Sequence, residues 1–263
     1  MRGRFVPVVW TWRRVLVAAV GEAWERGKSV ELLQRSMAFA ALFFVTLVPL
    51  LVVIAAAFPA RNSGITEWIT EALGLSGRGA DAVRALFASR GQVLSTTTAF
   101  GLAALAVFGI SLMAAIQGVY ERIWGLDRGP WHAVWRQVLG LAGLTGYIVL
   151  AGWSGTTPLA QPALRILGST VGGLLLFWVL PYLLLAGRVP SRQLLPGAVA
   201  TMLGLAGLRL FSRWVFAPLL VSNAVSYGTV GTVLVVQSWL IGVGYTVYGG
   251  ALVGRAVVRA RRV

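Results

Sequence analysis

Two arginines four residues apart, Arg209 and Arg213, interrupt a long apolar run late in the chain. At helical spacing they share one face. Two guanidinium forks on one face can grip a phosphate or carboxylate between them. The alternative is that each snorkels its head toward lipid headgroups. Counted from Leu194, Arg209 lies about 22 Å and Arg213 about 28 Å along a helix, toward its far end. Gln237, in the following run and about 15 Å from Tyr227 by helical rise, serves either as an interhelical hydrogen bond or as a group lining a pathway. Gln117 and Glu121 form a second pair spaced by four. Glu121 is expected to pair with Arg122, Arg128 or another basic residue of a loop on its side. The competing reading makes it part of a substrate gate.

Few other residues offer chemistry. The chain has no cysteine and a single histidine, His132, set between Trp131 and Trp135. Its eight acids, Glu22, Glu25, Glu31, Glu67, Glu71, Asp81, Glu121 and Asp127, are scattered. Acid–base and nucleophilic catalysis need such groups within reach of one another. Two-metal cleavage of a phosphodiester needs clustered carboxylates or histidines, which argues against a nuclease. No Gly-Lys-Ser/Thr phosphate loop is present for ATP. The expectation is therefore no catalytic residue, no metal site, no cofactor and no enzyme activity. Without cysteine there is no disulfide framework either.

The elements that must hold these residues are membrane-spanning helices. Of 263 residues, 57% are hydrophobic and only 12% charged, about half the charge of a soluble domain. The mean hydropathy is +0.79. The apolar runs are continuous rather than alternating, which favours helices over an outer-membrane barrel. The reading is an all-α integral membrane protein with six spans, at about 36–58, 93–119, 138–153, 168–186, 194–217 and 227–254. Residues 1–35 read as an amphipathic helix lying at the interface. The long loop 60–92 reads as two short helices forming an extracytoplasmic cap, and 255–263 as a basic tail. Pro49 falls inside the first span and predicts a kink, with Thr46 or a neighbouring helix expected to satisfy the freed carbonyl. The many glycines of the sixth span allow close helix approach.

Net charge is +15. With six spans, sixteen of the 23 basic residues fall on the side of both termini and five on the other; Arg209 and Arg213 lie within the fifth span. The positive-inside rule then puts both termini in the cytoplasm. The expected partners of the basic face are anionic lipid headgroups, not nucleic acid.

Several segments in order carry a family resemblance: AFAALFFVTLVPLLVVIAAAFP at 38–59, QGVYERIW at 117–124, RVPSRQLLPGA at 188–198, and SYGTVGTVLVVQSW at 226–239 with the Gly-Gly-Ala at 249–251. Together they resemble the YihY/virulence factor BrkB family, once mislabelled ribonuclease BN. The likeness runs from about residue 25 to 254. It departs at Leu42, where the family usually has an aromatic, at Glu121, where it has Asn, and at Leu252, where it has an acid. The resemblance implies a six-helix bacterial inner-membrane protein, with family proposals centred on transport or envelope lipids. It also adds Tyr227, of the Tyr227-Gly228 segment, to the candidate residues. The function expected is transport or translocation of an anionic or amphipathic envelope component such as a lipid. The alternative is a non-transporting scaffold for envelope integrity.

Overall fold

The computed structural model describes residues 21, 25, 27–28, 31–57, 81, 98–127, 129, 134–154 and 162–260. Among these residues there are six long helices and no strand. They are α1 (Leu32–Ala57), α2 (Thr98–Trp124), α3 (Val134–Ser154), α4 (Pro162–Leu184), α5 (Ser191–Trp214) and α6 (Phe216–Ala260). Each contains a stretch long and apolar enough to cross a membrane, so the chain is a multi-pass membrane protein. The expected interfacial helix before residue 31 and the cap at 60–92 fall almost wholly outside the described residues.

Each helix packs against the next in sequence, and α6 packs back on α1, so the bundle closes into a ring. α2 also touches α4 and α6. The seam between α5 and α6 is close because glycines line it. A Cβ on Gly254 would stand 2.5 Å from both Cα and N of Gly197, and one on Gly250 2.7 Å from the backbone N of Thr201. Gly242 meets Leu208 and Gly204 meets Thr246 along the same seam. On another side of α6, Gly244 abuts Phe39 and the Ser36 carbonyl of α1. Phe39 also meets the Tyr248 ring edge-on at 5.8 Å. α6 is thus wedged between α5 and α1 by side chains too small to hold it away.

The last helix begins well before the expected start at 227. The stretch 216–229 has no charge and no proline after Pro218, and a proline in a first helical turn is tolerated. Nothing in it stops a helix. α6 cannot be straight, however. Gly242 lies beside Leu208, six residues (about 9 Å) before Trp214, whereas 26 residues of straight helix would carry Phe216 about 39 Å beyond Gly242. α6 therefore bends between Phe216 and Gly242, a stretch that holds Gly228 and Gly231.

Pro49 lies inside α1 as expected, but Thr46 does not satisfy the carbonyl it frees. The Thr46 hydroxyl donates to the Leu42 carbonyl at 2.6 Å, whereas the carbonyl lacking its helical donor belongs to Val45. Between α4 and α5 the chain turns through Ala186 (φ 60°) and Gly187 (φ 67°). The Gly187 N–H closes on the Tyr182 carbonyl at 3.0 Å, and Trp178 Nε1 donates to the Ser191 carbonyl at 2.8 Å. Glycine suits the left-handed region; alanine there costs about 1 kcal/mol. Ala186→Gly should therefore raise the thermal midpoint of the purified protein. An unchanged or lower midpoint would show that the turn is not strained at Ala186.

Candidate functional site

The candidate residues separate into two groups at opposite ends of the bundle. Gln117 and Glu121 sit at the C-terminal end of α2, beside the α4–α5 turn. Arg209 and Arg213 sit in the last turns of α5, about 27 and 33 Å from Ser191 by helical rise.

The first group forms a built site. Glu121 is only 3% exposed. Its Oε1 accepts from Gln117 Nε2 at 3.0 Å and from the Gly129 N–H at 2.9 Å. It also takes a close ion pair from Arg188 Nη2. Gln137 of α3 extends the network by donating to Gln117 Oε1 at 3.2 Å. Among the described residues the base paired with Glu121 is Arg188, the other loop base expected at this end of the bundle, 67 residues along the chain; Arg128 lies outside the described residues.

Each of the three Arg188 nitrogens donates a hydrogen bond. Its Nη1 donates to the Asp127 carbonyl at 2.7 Å and its Nε to the Leu185 carbonyl at 3.1 Å. The planar guanidinium thereby ties α2, the 125–129 turn and the α4–α5 turn with donors that diverge from one plane, which a lysine ammonium does not offer. Gly129 lets the backbone approach the network closely. A Cβ would stand 2.9 Å from Glu121 Oε1 and 3.0 Å from Gln117 Nε2. Sequence alone marked the Gln117–Glu121 spacing but not Gly129 or the pairing role of Arg188. The only local signal was an arginine in the hinge RVPSRQLLPGA.

Beside this network lies a cavity of about 10 Å³, walled by Tyr120, Trp124, Phe177, Pro181, Leu194, Gly197, Ala198 and Ala251. That is room for about one water. Trp124 Nε1 is buried without a hydrogen-bond partner among the described residues. Pro181 has no N–H to offer the Phe177 carbonyl. A second cation flanks the same end: Arg255 Nη2 lies 3.5 Å from where a Gly125 Cβ would stand, and Gly125 itself has φ 67°. Leu252 is buried and apolar.

The second group does not converge. Arg213 is exposed, in the stripe of Leu203, Leu210, Phe211 and Trp214, the last 77% exposed. Arg209 is half-buried on the flank that carries Met202, two turns earlier; Met202 faces Gly173 of α4. Gln237 is half-buried in α6, within the stretch where that helix bends. Tyr227 lies in α6, with its side chain outside the described ones; His132 is also outside them. Among the described residues no group of three His, Asp or Glu side chains is placed to hold a metal ion.

A family model described as Virulence factor BrkB matches residues 23–263. No curated protein and no solved structure matches the chain.

Proposed function

Because the chain belongs to the virulence factor BrkB family, and from that premise, we propose that it moves an anionic or amphipathic envelope component, such as a lipid, across a bacterial inner membrane without catalysing a reaction. The observation that carries this reading is the Glu121–Arg188 pair, in which a buried carboxylate meets a partly exposed guanidinium. Burying a carboxylate usually stabilises less than an apolar side chain of the same volume would. A bundle that needed only to stand in a bilayer would gain more from leucine at Glu121. A charge pair joining three separate segments at one end is better suited to an element that is made and broken.

Orientation follows from charge. Arg122, Arg188, Arg192, Arg255 and Arg259 gather at the Glu121 end, so on the positive-inside rule that end, with both termini, faces the cytoplasm. Anionic headgroups are the natural contact for it. Arg209 and Arg213 then lie toward the outer leaflet. The exposure of Arg213 beside Trp214 favours anchoring at that interface, and Arg209 remains the better candidate for contact with a passing anion. A scaffold role is the second reading, favoured by the close glycine seam of α5 and α6, which suits a rigid body.

Native mass spectrometry of the gently extracted protein separates them, comparing wild type with Arg209→Ala/Arg213→Ala. The transport reading expects an anionic lipid retained by the wild type and lost from the double variant. Identical lipids in both would leave the arginines as anchors and favour the scaffold.

A further inference from the structure

We propose that Arg188 is a receptor for a phosphate-bearing headgroup and that Glu121 is its built-in competitor. In the closed bundle the Glu121 carboxylate occupies the face of the guanidinium that an arriving phosphate takes. Binding is an exchange: the phosphate displaces Glu121 from Arg188, the Gly129 N–H loses its acceptor, and the 125–129 turn comes loose from α2. This deepens the transport reading and rests on it for the ligand's class.

Four observations carry the assignment. The Arg188 side chain is 31% exposed while that of Glu121 is 5% exposed, so the cation can be reached from outside and its partner cannot. Arg188 meets Glu121 through one bond, from Nη2 to Oε1, and a phosphate oxygen accepts from the same charged N–H, so a phosphate can stand where Oε1 stands. A second guanidinium stands at the same end: Arg255 Nη2 lies 3.5 Å from where a Gly125 Cβ would be. Finally, Trp124, one turn beyond Tyr120 and three residues after Glu121, lines a small cavity, and its Nε1 is buried without a hydrogen-bond partner among the described residues, a further donor for a phosphate oxygen once the turn has moved. Glu121 supplies in the resting state the negative charge that the ligand supplies in the bound state.

The test is binding by the full chain in maltoside detergent micelles, which carry no phosphate, followed by tryptophan fluorescence. Short-chain phosphatidylglycerol and inorganic phosphate are titrated separately into wild type, Glu121→Gln and Arg188→Gln. Removing the competing charge should tighten binding to Glu121→Gln by about tenfold, and removing the receptor should weaken it by at least about tenfold. Binding of phosphatidylglycerol alone identifies a lipid headgroup as the source; binding of both ligands shows that the phosphate group suffices. Unchanged or weaker binding by Glu121→Gln, or none of either ligand, overturns the proposal. A second measurement needs no variant: saturating the wild type with phosphatidylglycerol should speed hydrogen exchange at the Gly129 amide, and unchanged exchange with the lipid bound overturns it too. Tight, Glu121-sensitive binding without flux into vesicles would sink the transport reading and leave this one standing. Flux with binding indifferent to both substitutions would do the reverse.

Discussion

Arg188→Met should lower the unfolding free energy of the bundle by about 3 kcal/mol, read from denaturant unfolding of the purified protein. The loss comes from what is left behind. Glu121 would stay buried without its counter-charge, and removing one partner of a buried pair costs about 3–5 kcal/mol. The low end applies because Gln117 Nε2 and the Gly129 N–H still donate to Glu121 Oε1. The second half of the prediction discriminates the cause. Glu121→Gln together with Arg188→Met removes both charges and should restore most of the loss, since no uncompensated ion remains. If the double variant is as unstable as the single, the lost hydrogen bonds of Arg188 to the Asp127 and Leu185 carbonyls hold this end instead.

Gly254→Ala should destabilise by about 3 kcal/mol or prevent assembly. The added methyl would stand 2.5 Å from the Cα and the N of Gly197. Both are backbone, so no rotamer change relieves the overlap, and α5 and α6 must separate along their whole seam. Overpacking a close contact costs about 1–3 kcal/mol, and backbone-to-backbone contact belongs at the upper end. Gly249→Ala is the matched control. It lies on the same helix with nothing within 4 Å of its added Cβ, and alanine's helix propensity should make it neutral or slightly stabilising. Equal melting temperatures for the two variants would show that α5 and α6 do not depend on this close approach.

Hydropathy made the six helices legible, because apolar runs of this length have few structural alternatives. Their ends were less legible. The sixth was expected from Tyr227 and begins at Phe216, since an uncharged stretch without helix breakers looks the same whether it turns or coils. Spacing by four revealed that Gln117 and Glu121 meet, a property local to one helix. It could not reveal Arg188, whose meeting with Glu121 is decided by how α2 and the α4–α5 turn pack. The same limit applies to Arg209, Arg213 and Gln237. Periodicity gives the face a residue shares with its helical neighbours, not which helix that face will meet. Arg213 is exposed and Arg209 half-buried although they share that spacing.

The closed ring has a consequence for how the protein is made. α1 lies against α6 through Ser36, Phe39, Gly244 and Tyr248, so one of the first helix's main neighbours is the last to leave the ribosome. Until then Phe39, one of the bundle's buried aromatics, faces lipid, and α1 is held chiefly by the hairpin it makes with α2. Contacts so distant in sequence form late and slowly. Nascent chains stalled before α6 should therefore remain open and prone to degradation, whatever the hydropathy of their first five spans.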